Sequence, residues 1–119
     1  MNEGKYIFTQ VCSLIPRQIF QRLVAKYQGD YHVRDFNCTT QLRYMLFGQL
    51  TSCESLRDIC LCLKAHENIL YALGIATSVN ESSLSRANEK RDYRIYEGLG
   101  KALIKIVQPL YSKMRLEYI

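Results

Sequence analysis

Ser78-Val79-Asn80-Glu81-Ser82-Ser83-Leu84-Ser85-Arg86-Ala87-Asn88-Glu89-Lys90-Arg91-Asp92-Tyr93-Arg94 is the stretch on which the reading of this chain turns. Ser78 and Glu81 have the spacing of a capping box, in which the serine side chain accepts from the amide three residues on and the glutamate reaches back. Leu84 and Ala87 lie three apart on one helical face and are the only clearly apolar residues of the following turns. The rest, from Ser82 to Asn88, are short polar residues and Arg86. A helix of this kind is pinned by a narrow apolar stripe. It offers solvent a wide face of hydroxyl, amide and guanidinium groups, which are the groups that read base edges and hold phosphates. Four cations, Arg86, Lys90, Arg91 and Arg94, sit along it. The bland reading is a solvated surface helix, and what precedes the stretch shifts the weight away from it.

Working backwards, Leu56, Ile59, Cys60 and Leu63 line a well-buried helix over Ser55–Leu63, which Thr51 and Glu54 would open as a second capping box. Asn68–Leu73 reads as a short helix stopped by Gly74. Buried helix, short helix, tight turn and polar helix together form a helix-turn-helix-like unit over about 55–91. Further upstream, Leu42, Met45, Leu46 and Leu50 stripe a helix capped by Thr39 or Thr40, with Gly48 marking close packing at a cost of ~1 kcal/mol relative to Ala. Lys5–Ile15 carries Ile7, Phe8, Val11, Leu14 and Ile15 at helical spacing. Pro16 suits the first position of the next helix, whose stripe is Ile19, Phe20, Leu23, Val24 and Tyr27 and whose left-handed cap is Gly29. Tyr31–Phe36 alternates enough for a short extended piece. Downstream, Asp92–Val107 carries Ile95, Leu99, Leu103 and Ile106, and Pro109 closes it.

The expected fold is therefore all-α, a single domain over 1–119 of about six or seven helices, with Leu46, Leu50, Leu56, Ile59, Leu63, Leu84 and Ile95 buried. The chain's 119 residues suffice for one core, and its 48% hydrophobic and 23% charged content excludes a disordered chain. A net charge of +5 suits an anionic partner. No window approaches a membrane span of ~18 apolar residues, and the N-terminus has no secretory pattern, so a cytoplasmic protein without membrane contact is expected. The five cysteines read as reduced thiols.

Catalytic chemistry is thinly represented. Cys60 and Cys62 point about 200° apart on a helix, so with His66 they cannot complete the ligand set that zinc needs. His32 has no serine or cysteine motif beside it. Gly98-Leu99-Gly100 lacks the third glycine and the preceding strand of a phosphate loop, and reads as flexibility or tight helix packing. No catalytic residue, metal ligand or cofactor site is assigned.

Phe47-Gly48-Gln49-Leu50-Thr51, Glu54-Ser55-Leu56-Arg57-Asp58, Leu73-Gly74 and above all Leu84 to Tyr96 resemble the N-terminal region of bacterial insertion-sequence transposases of the fourth insertion-sequence family. The opening, Gly4 to Phe8 and Pro16 to Tyr27, follows the same pattern, so the resemblance runs from about Gly4 to Ile104. It implies a DNA-binding helical domain that recognises the terminal inverted repeats in double-stranded DNA. In that family this domain precedes a catalytic domain whose Asp-Asp-Glu carboxylates hold divalent metal ions. None of those carboxylates maps onto this chain, so it is expected to be no enzyme alone and to need no cofactor. Ser83, Ser85, Arg86 and Asn88 are the expected base-edge or nearest phosphate contacts, and Lys90, Arg91 and Arg94 the backbone contacts. A homodimer is one option. The competing expectation is a helical interaction or oligomerisation domain that never touches DNA.

Overall fold

Among the described residues, three helices begin at an asparagine or serine whose side chain accepts from a free amide of the first turn, three residues on. Asn37 accepts from the Thr40 amide at 2.9 Å, Ser55 from Asp58 at 3.1 Å and Asn80 from Ser83 at 2.9 Å. Each cap residue is extended, and the helix follows at once. The computed structural model describes residues 2–70, 74–75 and 79–117. Among them are seven helices: α1 (Asn2–Ser13), α2 (Arg17–Lys26), α3 (Cys38–Leu50), α4 (Leu56–Ala65), α5 (Glu67–Leu70), α6 (Glu81–Lys90) and α7 (Tyr93–Glu117). No strand occurs among the described residues, so the all-α expectation holds. Tyr31–Phe36 is a run of turns and bends instead of an extended piece, with His32 at φ 56.

The chain divides into two compact units. The first takes residues 1–14 and 30–91, hence α1 and α3 to α6; the second takes 15–29 and 92–119, hence α2 and α7. In the first unit, α4 packs on α3, α5 and α6, and α1 packs on α3. Phe8, Tyr44, Ile59, Cys60, Leu63, Leu70, Ile75 and Leu84 form its core. The Phe8 and Phe47 rings meet edge-on at 5.8 Å, as do Phe36 and Tyr44 at 5.2 Å. Tyr44 is fully buried, and its hydroxyl accepts from the Val79 amide at 2.9 Å, which ties α3 to the entry of α6. In the second unit α2 lies against α7, burying Phe20, Val24, Ile95 and Leu99.

A glycine admits a close helix contact in each unit. A Cβ on Gly48 of α3 would stand 2.4 Å from Ile59 Cδ1 of α4, and one on Gly98 of α7 would stand 2.7 Å from Leu23 Cδ2 of α2. The packing expected at Gly48 is therefore real. At Gly98 packing takes the place of flexibility.

Several sequence expectations are corrected. Thr51 does not open α4: it ends α3, its hydroxyl donating to the Phe47 carbonyl at 2.7 Å, and Ser55 is the cap. A threonine one turn past a free carbonyl can bond backwards as readily as it caps forwards. Asn37, and neither Thr39 nor Thr40, caps α3. Ser78 lies outside the described residues, and Asn80 caps α6. Gln28, at φ 53, takes the left-handed position assigned to Gly29. The predicted short helix is α5, ending at Leu70; residues 71–73 lie outside the described residues. Gly74 does adopt the left-handed conformation, at φ 77. Pro109 sits inside α7 and does not close it. Of the residues expected in the core, Ile59, Leu63, Leu84 and Ile95 are buried and Leu46 and Leu56 half-buried, but Leu50 is 44% exposed. Helix α3 turns Gln41, Tyr44 and Gly48 inward, which carries Leu50 about 120° around the axis from Tyr44.

Gly48→Ala should destabilise the protein by ~1 kcal/mol, the crowding at Ile59 outweighing the gain in helix propensity. Adding Ile59→Val, which removes the crowding Cδ1, should return part of that loss. Chemical denaturation of the two single variants and the double variant measures both effects.

Candidate nucleic-acid interface

Leu84 and Ala87 are the buried residues of α6, so its apolar stripe is as narrow as the sequence implies. Two rows of exposed residues remain outside it, Glu81-Ser85-Glu89 and Ser82-Arg86-Lys90, each at a spacing of four. Arg86 and Lys90 form no hydrogen bond or ion pair among the described residues. Glu81 and Glu89 lie in the neighbouring row, so the outer face carries two cations and two carboxylates.

The remaining candidates behave differently. Gln41 of α3 is 2% exposed, and its amide nitrogen donates to Asn88 Oδ1 at 2.6 Å. Asn88 Nδ2 in turn approaches Met45 Sδ at 3.6 Å. Arg91 Nη1 donates to Gln41 Oε1 at 2.7 Å, its Nη2 donates to the Phe36 carbonyl, and the guanidinium lies 5.5 Å from the Phe36 ring centre. Asn88 and Arg91 therefore hold α6 to α3. Ser83 is half-buried, and its amide is the one capped by Asn80. Ser85, Arg86 and Lys90 stay together on the outer face.

Arg94 belongs to the second unit. Its Nη2 is 2.7 Å from Asp92 Oδ2, its Nε donates to Oδ1 at 3.0 Å, and the guanidinium stacks on Tyr27, 4.5 Å from the ring centre. These side-chain donors, and then the Arg94 amide, hold the Asp92 carboxyl below the usual carboxylate range, while the same pairing pushes Arg94 up. Lys101 is raised likewise by Glu97, 2.9 Å away. The inward roles of Gln41 and Arg91 had no signal in the sequence, since α3 also carries Thr39, Thr40, Arg43 and Gln49.

In the connection between α5 and α6, Ile75 is buried and its amide donates to the Leu70 carbonyl at 2.9 Å. The Arg43 guanidinium donates to the Gly74 carbonyl.

Other reactive groups are quiet. His66 follows α4, and its Nδ1 lies 2.8 Å from the Cys62 carbonyl. Burial pushes the thiols of Cys12, Cys60 and Cys62 up, which makes them poor nucleophiles. All five cysteines are free, and no group of three metal-ligating side chains occurs among the described residues. No described helix is long and apolar enough to cross a membrane.

The fold and this site define an all-helical protein that presents one short polar helix. The chain belongs to the DUF4372 family, a domain of unknown function, whose model matches residues 3–76. Helix α6 follows the matched segment. No curated protein and no solved structure matches the chain.

Arg91→Ala should lower stability by ~2 kcal/mol, because it strips charged donors from a buried amide and a carbonyl. Arg86→Ala and Lys90→Ala should stay within about 0.5 kcal/mol of the parent, as exposed substitutions do. Thermal unfolding monitored by circular dichroism separates the two groups.

Proposed function

We propose that this chain is the DNA-binding N-terminal part of a transposase, with α6 its reading helix for the terminal inverted repeats of an insertion sequence. The observation that carries the proposal is the outward row Ser82-Arg86-Lys90 beside Ser85, polar and unengaged, on a helix whose other side is held by Gln41. The family's domain, matched over residues 3–76, is known in transposase-like proteins, and the resemblance of Leu84 to Tyr96 lies beyond that match. In this reading Arg86 makes a bidentate contact to a guanine edge, Ser85 and Ser83 bond to nearby edges or phosphates, and Lys90 neutralises a phosphate. Asn88 and Arg91 act by positioning α6.

Glu81 and Glu89 temper the attraction. Carboxylates repel phosphates at short range but accept from cytosine amino groups, so they favour selectivity over non-specific adhesion. The chain performs no strand cleavage in this reading and needs no cofactor; divalent metal ions belong to a separate Asp-Asp-Glu domain. It acts in the bacterial cytoplasm, at the nucleoid.

The test is a fluorescence-anisotropy titration against a terminal-repeat duplex and a scrambled duplex at two salt concentrations. Lys90→Ala should weaken both duplexes alike and flatten the salt slope by ~0.9. Arg86→Ala should cost ~1–3 kcal/mol on the repeat and much less on the scramble. Unchanged affinity in both variants would end the proposal in favour of an interaction domain without DNA contact.

A further inference from the structure

The second unit carries a feature that DNA binding does not use. Beyond its contact with α2, α7 exposes an apolar row: Ile104 is 62% exposed, Ile106 49%, Val107 53%, Leu110 60% and Tyr111 63%. Gly100, Leu103, Val107 and Leu110 follow one another at spacings of three, four and three, which keeps them on one face of the helix. Ile104 and Tyr111 flank this row on one side and Ile106 on the other, while Lys101, Lys105 and Ser112 lie on the opposite face. Leu103, Ile104, Val107 and Tyr111 also line a shallow open groove along the helix.

Gly100 is the second observation. A glycine inside a helix is destabilising, and Gly98 has a reason for being one, since Leu23 fills the space a Cβ would need. At Gly100 nothing lies within 4 Å of that position. Among the described residues none fills the space of the missing Cβ, which opens the apolar row to close approach by another backbone. A lipid surface has no use for such a notch. A partner helix does.

We propose that the outer face of α7 is a self-association surface, on which a second copy of this chain lays its own α7 antiparallel across Gly100 and Val107. An isologous pair needs one face complementary to itself, which an unbroken apolar row provides and a mixed polar face does not. The exposed parts of the five side chains amount to on the order of 600 Å² per copy, so a face-to-face pair covers about 1,200 Å², where stable specific interfaces begin. Lys101 and Lys105 stay in solvent in that arrangement.

The test is sedimentation equilibrium of the whole chain between ~1 and ~100 µM, the range in which an interface at the lower size limit associates. The expected species is a dimer of twice the 13.9 kDa chain mass. Val107→Glu should weaken dimerisation at least tenfold with unchanged helical content by circular dichroism. Gly100→Leu, whose Cβ has no neighbour within 4 Å, should do the same, and Lys105→Glu on the opposite face should not. A wild-type chain that stays monomeric overturns the proposal, and so does a dimer that survives both Val107→Glu and Gly100→Leu. Flotation of a monomeric wild type with anionic phospholipid vesicles, abolished by Val107→Glu, would assign the face to a membrane surface instead. No DNA is present in these measurements, so their outcome is independent of the reading given to α6.

Discussion

A buried glutamine must find partners for both ends of its amide, and this protein's α6 is oriented by how Gln41 finds them. Leaving either end unpaired in the interior would cost ~1–3 kcal/mol. Gln41 donates to Asn88 and accepts from Arg91, three residues apart on α6 and just past its end, so the two contacts fix both the rotation of α6 and the position of its C-terminus. Arg91 extends the hold to the Phe36 carbonyl and ring. Once that side of the helix is committed, Ser82, Ser85, Arg86 and Lys90 are left to face outward together with Glu81 and Glu89. At the other end, the Tyr44 hydroxyl receives the Val79 amide and Asn80 caps the first turn.

The same economy appears elsewhere in the chain. Glycine admits a close helix contact in each unit, Gly48 to Ile59 in one and Gly98 to Leu23 in the other. Side-chain caps at Asn37, Ser55 and Asn80 start the helices that carry the first unit's core. The Phe36 ring meets Tyr44 edge-on, and burial raises the pKa of the Tyr44 hydroxyl. Local rules thus set where helices begin, and a few polar contacts of long sequence separation set how they are rotated.

That division explains what could be read from the sequence. Helical periodicity placed α1, α2, α4 and the start of α7 within a few residues, because apolar stripes of period 3.6 leave no other way to bury Phe20, Ile59 or Leu63. Helix α3 was legible as a helix but not in its rotation. Its leucines suggested one face, and Gln41, Tyr44 and Gly48 define another, since two of them satisfy partners more than thirty residues away. The candidate site divides along the same line. Ser85, Arg86 and Lys90 have no inward partner, so composition alone placed them outside. Asn88 and Arg91 have the same chemistry as base or phosphate contacts, and only Gln41 distinguishes their setting. Cap positions shifted for a related reason, as Thr51 and Asn37 each sit beside other residues with equal capping chemistry.

The direct test of the account is the coupling between Gln41 and Arg91. Unfolding free energies of Gln41→Ala, Arg91→Ala and the double variant should give an interaction energy of ~1–2 kcal/mol, within the range of residues that share a hydrogen-bond network. That result would establish that the two side chains hold α6 in solution as a unit. Additivity within about 0.5 kcal/mol would contradict it, and would leave the outward face of α6 without the constraint that defines it.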